Sequence, residues 1–178
     1  MRKLSNDELN RMNQVDYANS EKIPVVIVLD NVRSLNNIGS VFRTGDGFRI
    51  KKIILCGIST CPPHRDIHKT ALGAELSVPW EYFDDTTTAV LGLRKKGYHI
   101  ASVEQAEGST KLQNLSLEDK THLALIFGHE IKGVDQTIVD LSDECIEIPQ
   151  FGTKHSFNIS VSVGIILWEV VAKLKLRN

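Results

Sequence analysis

The sequence is poor in cysteine, proline and aromatic residues. It holds three cysteines, five prolines and 6% aromatic residues in 178 positions. An odd cysteine count without CxxC spacing fits neither a disulfide framework nor a zinc site. We therefore expect Cys56, Cys61 and Cys145 to be buried or unreactive thiols. A single domain of this length buries a core large enough to be stable without cross-links.

Long apolar runs are also absent. The runs Val25–Leu29 and Leu123–Phe127 are typical, and they are far shorter than the ~20 residues that span a bilayer. This excludes a transmembrane protein. Residues 1–8 lack the apolar segment of a secretory signal, so we predict a cytoplasmic location.

Neither sign of charge is in excess. The chain has 21 basic and 22 acidic residues, which argues against a protein that coats nucleic acid through bulk charge. The distribution is nevertheless uneven. Residues 28–70 hold seven basic and three acidic residues, whereas residues 71–120 hold five basic and eight acidic ones. The first segment is a candidate for contact with phosphate groups, and ordinary scatter of charge is the alternative.

Short apolar runs alternate with helical patterns along the chain. Continuous apolar runs are typical of strands buried on both faces of a parallel sheet. The capping box Ser5-Asn6-Asp7-Glu8 predicts a helix that extends to about Tyr17. We therefore predict a helical arm over 1–22 and one α/β domain over 23–178, with a mostly parallel sheet flanked by helices. Strands are predicted over 25–29, 52–56, 78–82, 98–103, 123–127 and 145–148, and helices over about 41–48, 69–73, 85–96, 134–141 and 157–174.

Three loops that follow predicted strands are rich in Asn, Gly, Ser and charged residues. They span residues 36–44, 127–133 and 148–160. In parallel sheets ligands bind beyond the carboxyl ends of the strands, and a packed core needs none of these polar side chains. Three such loops together favour a functional site.

Each loop also has a simpler explanation. Its glycines relieve positive φ angles at turns, and Asn37 and Ser156 cap helices. On this explanation, Arg43 and Glu130 form a surface ion pair.

Common nucleotide, metal and hydrolase motifs are missing from the sequence. There is no GxGxxG after the first strand, no GxxxxGK[ST], no HExxH and no GxSxG. A Rossmann-type cofactor site, a P-loop and a serine hydrolase are therefore disfavoured. His64 and His68 lie four residues apart without a third ligand nearby, so we predict no metal site.

Together the three loops resemble the three motifs of the SpoU (TrmH-like) RNA ribose methyltransferases of the SPOUT superfamily. The resemblance spans residues 24–171. The matching motifs, in order, are Asn37-x-Gly39-Ser40-x-x-Arg43-Thr44, Phe127-Gly128-x-Glu130-x-x-Gly133 and Ile148-Pro149-x-x-Gly152-x-x-x-Ser156-Phe157-Asn158-Ile159-Ser160-Val161.

This resemblance implies a C-terminal trefoil knot that binds S-adenosylmethionine, and a homodimer with its active site near the interface. It implies methylation of a ribose 2′-hydroxyl in tRNA or rRNA, with S-adenosylhomocysteine as product and no metal. The short chain slightly favours tRNA. The implied catalytic residues are Arg43, Glu130, Ser156 and Asn158. The implied cofactor-binding residues are Phe127, Gly128, Gly133, Ile148, Pro149, Gly152 and Phe157, and the implied RNA-binding residues are Asn37, Arg43 and Ser156.

Four positions depart from the family's commonest pattern, and three of them lie in or near the cofactor loops, where they bear on adenine packing. They are Leu35, His129, Gln150 and Phe157, where Pro, Asn, Met and Leu are frequent. Arg43 could act as a base or as a phosphate clamp, and the high pKa of a guanidinium favours the clamp. Two other function classes stay open: a non-catalytic RNA- or S-adenosylmethionine-binding module on the same fold, and a small-molecule α/β enzyme.

Overall fold

One parallel sheet of seven strands forms the centre of the fold. The computed structural model describes residues 1–5 and 7–176. The strand order of the sheet is β3-β2-β1-β6-β4-β7-β5, and every strand pair is parallel. The strands are β1 (Ile23–Asp30), β2 (Ile50–Cys56), β3 (Trp80–Phe83), β4 (His99–Val103), β5 (Thr110–Lys111), β6 (Leu123–Phe127) and β7 (Glu144–Glu147). The α-helices are α1 (Gln14–Asn19), α2 (Leu35–Gly47), α3 (Arg65–Ala71), α4 (Thr86–Lys95), α5 (Gln136–Asp140) and α6 (Ile159–Val171).

Helices cover both faces of this sheet. Side chains alternate between the faces along β1, so Ile27 packs in one buried cluster with α2 and α6, and Val28 packs in another with α4 and α5. Because both faces are covered, the strand is buried along its length and needs no polar alternation. The predicted α/β fold with a mostly parallel sheet is confirmed, and the trefoil knot stays a prediction. None of the described helices is long and apolar enough to cross a membrane.

The helix after β1 begins earlier than predicted. Helix α2 starts at Leu35 rather than near residue 41, because the Ser34 hydroxyl accepts a hydrogen bond from the Asn37 N–H and caps it. Polar residues in its first turn concealed the apolar periodicity of this helix. The two-residue strand β5 was not predicted at all, because so short a strand leaves no pattern in the sequence.

The N-terminal arm is not the single helix that the capping box predicts. The reciprocal bond of the box does form, with Ser5 N–H donating to Glu8 Oε2 at 2.7 Å, and Asn6 lies outside the described residues. Only a short 3₁₀ turn follows over Asp7–Leu9, and Asn10 adopts a φ of 46°. Helix α1 then starts afresh, capped by Asn13.

All three cysteines are free thiols. Burial raises the pKa of Cys56 to about 12, and burial also raises the pKa of Cys61 and of Cys145. Thiols with raised pKa values hold little reactive thiolate at neutral pH. The expectation of unreactive cysteines is consistent with this arrangement.

Helix α3 packs directly against α2 at Gly39. A Cβ added there would lie 2.2 Å from Thr70 Oγ1 and 2.3 Å from the Ile67 carbonyl oxygen. The Thr70 hydroxyl also donates to the Asn36 carbonyl at 3.0 Å. Glycine at position 39 thus lets the two helices approach closely.

We expect Gly39→Ala to lower the free energy of unfolding by ~1–3 kcal/mol, because the new methyl overlaps a backbone oxygen. Urea denaturation followed by circular dichroism measures this. Gly92→Ala is the matched control: position 92 in α4 has open space around it, so alanine should stabilise the helix by up to ~1 kcal/mol. Equal effects of the two changes would contradict the close packing.

Candidate functional site

A cleft of about 1150 Å³ opens at the carboxyl edge of the sheet. Its walls come from the segments after β4, β6 and β7 and from the start of α6. Strands β1 and β6 are neighbours here, and the strand order changes direction between them. Ligands bind at such switch points in open parallel sheets.

Most of the predicted site residues line this cleft. Gly152 is outside the lining and has open space around it, and Pro149 also lies outside it. The departing residues His129 and Gln150 lie in the lining. The predicted residues in the lining are Phe127, Gly128, Glu130, Gly133, Ile148, Ser156, Phe157 and Asn158.

Glu130 fastens the second loop to the first. Its carboxylate accepts hydrogen bonds from Arg33 N–H at 3.1 Å, from Ser34 N–H at 2.9 Å and from Asn37 Nδ2 at 3.0 Å. Burial acts to raise the pKa of Glu130, but these hydrogen bonds outweigh it and hold the pKa below its ordinary value. Glu130 therefore stays ionised and positions the N-terminus of α2.

Asn37 connects the first loop to the third. Its Oδ1 accepts a hydrogen bond from Asn158 Nδ2 at 3.1 Å, and Asn158 Oδ1 in turn accepts from Ser160 N–H at 2.9 Å. Asn158 is thus the cap of α6, as Ser34 is of α2. The simpler explanation of Asn37 and Ser156 as helix caps is wrong.

The loop after β6 closes on itself. His129 and Gly133 exchange two backbone hydrogen bonds of 3.0 and 2.8 Å, and Gly133 has a φ of 71°. A Cβ on Gly128 would lie 2.1 Å from the backbone of Gly133 and Val134. Only glycine fits at position 128, and its bare backbone forms part of the cleft wall.

Two carboxylates that the sequence analysis did not identify accept hydrogen bonds from the residues just after the same loop. Glu104, just after β4, accepts from Val134 N–H at 3.0 Å and from Gln105 N–H at 2.8 Å. Asp30, at the end of β1, is 2% exposed and accepts from Asp135 N–H at 3.0 Å. The available signal was their position: each is an acidic residue at the end of a buried strand.

Arg43 stands apart from the cleft. It is exposed on α2, six residues or about 9 Å along the helix from Asn37, and does not line the cavity. Its side chain forms no hydrogen bond or ion pair within residues 1–5 and 7–176. The simpler explanation of an Arg43–Glu130 surface ion pair is therefore wrong, and Glu130 contacts the first loop instead of Arg43.

The two histidines in the loop after β2 and in α3 have structural contacts. His64 Nδ1 accepts from Asp66 N–H at 3.1 Å and caps α3, and His68 pairs with Glu75. Across the part of the chain that the structure describes, no three His, Cys, Asp or Glu side chains are grouped to hold a metal ion.

Comparison with known proteins identifies a family and a fold. The family model described as "SpoU rRNA Methylase family" matches residues 24–168. The 23S rRNA (guanosine-2′-O-)-methyltransferase RlmB of Neisseria meningitidis serogroup B is 27% identical over 160 residues, which cover 90% of this chain. The chain spans 63% of the length of that curated relative.

Solved structures share the architecture. The TrmH/SpoU tRNA modifying enzyme of A. aeolicus superposes with a TM-score of 0.81 at 22% identity, covering 92% of this chain and 82% of that one. The AdoMet-bound rRNA methyltransferase of Sinorhizobium meliloti gives 0.80 at 24% identity, covering 87% and 58%. At these identities the structures establish the common fold.

We expect Glu130→Gln to lower the free energy of unfolding by about 1 kcal/mol at neutral pH, after allowance for solvent screening. The folded pKa of Glu130 is lowered, so its stabilisation is complete above the ordinary glutamate pKa of ~4.3 and is lost as the pH falls through the folded pKa. The difference from wild type should therefore shrink in acid. Urea titrations at several pH values measure it, with the exposed Glu118→Gln as control. A difference independent of pH would contradict an ionised clamp.

Proposed function

We propose, because the chain belongs to the SpoU rRNA Methylase family, that it methylates a ribose 2′-hydroxyl of RNA with S-adenosylmethionine as donor. One observation carries the proposal: Glu130, Asn37 and Asn158 join the three motif loops through direct hydrogen bonds beside one cleft. A small-molecule α/β enzyme is disfavoured, because the sequence holds none of the usual phosphate-binding loops. A non-catalytic binding module would need the cleft but not the free cation on α2.

The cleft suits S-adenosylmethionine. Its volume of about 1150 Å³ exceeds what a ligand of this size needs. Ile148 and Phe157 offer apolar surface, and the Gly128 backbone can approach a ligand without a side chain between them. Phe127 belongs to the cleft wall but is only 2% exposed. When bound, S-adenosylmethionine supplies a methyl group activated on a sulfonium sulfur. Pro149 and Gly152 belong to the loop that we propose covers it.

The protein's own part in the reaction is chiefly positioning. The ribose 2′-oxygen forms a bond to the methyl carbon, the carbon–sulfur bond breaks, and the hydroxyl proton leaves. Alignment of two reactants in this way can lower the barrier by up to ~7–11 kcal/mol. No metal is needed, because the leaving group is already positively charged.

We assign Arg43 to the RNA phosphate next to the target ribose. A guanidinium stays protonated, so it binds phosphate through two hydrogen bonds more readily than it accepts a proton. Clamped there, it polarises the 2′-hydroxyl while the proton leaves through water. In this proposal Ser156, Asn158 and Asn37 contact the RNA backbone and Glu130 is a positioning residue, which is supported by Ser156 and Asn158 lining the cleft and by the Asn37–Glu130 hydrogen bond.

We propose a homodimer in which Arg43 serves the partner's cleft. Arg43 lies outside the cleft of its own chain, so the monomer leaves the site incomplete. Helix α6, which packs on α2, exposes 48% of Val161 and 58% of Trp168, with open space at Gly164 between them. An exposed apolar stripe beside the helix that carries Arg43 is suited to self-association.

The substrate is tRNA or rRNA, and we favour tRNA. The relative from Neisseria acts on 23S rRNA, whereas the A. aeolicus structure is of a tRNA modifying enzyme. The A. aeolicus chain is covered over 82% of its length, more than the 63% for RlmB, which favours tRNA. The bacterial relatives support a cytoplasmic location.

Incubation of the protein with methyl-labelled S-adenosylmethionine and RNA from a deletion strain tests the function. We expect label in RNA, and nuclease digestion should place it on a 2′-O-methylated nucleoside. RNA binding without label would favour the non-catalytic module. Neither binding nor label would favour a small-molecule enzyme.

We expect Gly128→Ala to raise the Kd for S-adenosylmethionine at least about tenfold, because the added methyl overlaps the backbone of Gly133 and Val134 at the cleft wall. Isothermal calorimetry measures the affinity, and a thermal melt confirms folding. Gly92→Ala, in α4 and outside the cleft lining, is the control. Unchanged affinity in a folded Gly128→Ala protein would contradict the pocket assignment.

We expect Arg43→Lys to reduce methyl transfer about 10²–10³-fold, because an ammonium cannot bind phosphate bidentately. The binding of S-adenosylmethionine should stay as in wild type. Near-normal turnover would refute the clamp.

A mixed dimer tests whether Arg43 acts across the interface. Subunits carrying Arg43→Lys and Gly128→Ala can be tagged differently, co-expressed and purified as a pair. One of the two sites is then intact if the arginine acts in trans, so about half of wild-type activity returns. An inactive pair would place Arg43 in its own subunit's cleft.

A further inference from the structure

A second cavity, of about 610 Å³, lies beside α3 near the β3 edge of the sheet. It is separate from the cleft at the carboxyl edge and shares no lining residue with it. We call it the α3 cavity. Its lining residues are Pro62, Pro63, His64, Arg65, His68, Glu75, Leu76 and Trp80.

Flat and apolar groups dominate the walls of the α3 cavity. Trp80 is 36% exposed and Leu76 is 72% exposed, which leaves apolar surface open to a ligand. The exposed rings of His64 and His68 and the guanidinium of Arg65 are also planar. Aromatic rings and arginine planes are the surfaces on which unpaired RNA bases stack.

Glu75 is the one carboxylate among the described residues that line the α3 cavity, and it does not repel RNA phosphates strongly. Glu75 is 7% exposed, pairs with His68 Nδ1 at 2.5 Å and accepts a hydrogen bond from Gly73 N–H at 3.1 Å. Its carboxylate is therefore buried and hydrogen-bonded rather than open to a ligand. Arg65 is exposed and makes no ion pair within residues 1–5 and 7–176, so it remains available to a phosphate.

We propose that the α3 cavity stacks an unpaired base of the RNA substrate, away from the nucleotide that is methylated. The inference rests on the proposed function and adds a second point of RNA contact to it. The volume admits a single nucleoside, which excludes an extended duplex.

The position of the cavity connects it to the proposed catalytic surface. Helix α3 packs directly on α2, and the Thr70 hydroxyl donates a hydrogen bond to the Asn36 carbonyl oxygen. Helix α2 carries Arg43. Arg43 and Arg65 both belong to segment 28–70, where basic residues outnumber acidic ones seven to three. The adjoining helices α2 and α3 therefore each present an exposed arginine, Arg43 and Arg65, to which one RNA strand can bind.

The fluorescence of Trp80 can show directly whether a base stacks on it. The chain has two tryptophans, so Trp168→Phe leaves Trp80 as the sole indole fluorophore. Titration with a single-stranded oligoadenylate of about eight nucleotides should quench this emission, because a stacked base contacts the indole. Emission that does not change while the RNA binds would overturn the inference.

Substitution gives the second test. Trp80→Ala should raise the Kd for bulk tRNA about 5- to 150-fold, equivalent to ~1–3 kcal/mol for one stacked base, and Trp80→Phe should restore most of the affinity. Arg65→Ala should reduce the slope of log K against log salt by about 0.7 if it binds one phosphate of a single strand. Leu91→Ala, an exposed apolar truncation on α4, is the control.

Methyl transfer by the same wild-type protein separates the two proposals. Wild type that methylates RNA while Trp80→Ala binds it with unchanged affinity would overturn the α3 cavity as a base site and leave the function standing. A change of oligomeric mass in Trp80→Ala with unchanged RNA affinity would identify a protein contact instead, and would also overturn it. Wild type that neither binds nor methylates RNA would overturn the function itself.

Discussion

The site depends on carboxylates that accept hydrogen bonds from the backbone N–H groups of neighbouring loops. Asp30 and Glu104 hold the loop after β6 through Asp135 and Val134, and Glu130 of that loop holds the N-terminus of α2. Each acceptor stands at or just beyond the end of a strand, where the sheet no longer pairs the backbone. Backbone N–H groups that are shielded from water require hydrogen-bond partners. The carboxylates therefore take the place of the hydrogen bonds between strands and fix the loops against each other.

The proposed chemistry is divided between two kinds of surface on this framework. The cleft after β6 and β7 combines glycine backbone and apolar side chains such as Ile148 and Phe157 with polar ones such as Glu104 and Gln150, which suits a ligand with both apolar and charged parts. Helix α2 presents Arg43 to solvent without a partner in the described chain, which suits an anion that arrives and leaves. A near-zero net charge is compatible with RNA as substrate, because the positive excess lies in the segment that includes α2.

Sequence reasoning located the sheet and the three loops because their signals are local. The strands β1 and β6 are continuous apolar runs, and the motif residues stand at fixed spacings. It missed Asp30 and Glu104, whose partners lie 105 and 30 residues away, so no spacing relates them. The arm shows the opposite error: the capping contact at Ser5 is real, but the helix predicted from it to about Tyr17 is only a 3₁₀ turn that ends at Leu9.

The bond between Glu130 and the α2 N-terminus has a thermodynamic consequence. The loop that lines the cleft is also the support of the helix that carries Arg43, so the two binding surfaces share one mechanical element. Any ligand that shifts this loop therefore changes the affinity of the α2 surface for its own ligand. Linkage is reciprocal, so whatever factor the methyl donor imposes on RNA affinity, RNA imposes on the affinity for the donor. An enzyme built this way would therefore have one coupling factor between its two substrates, whichever binds first.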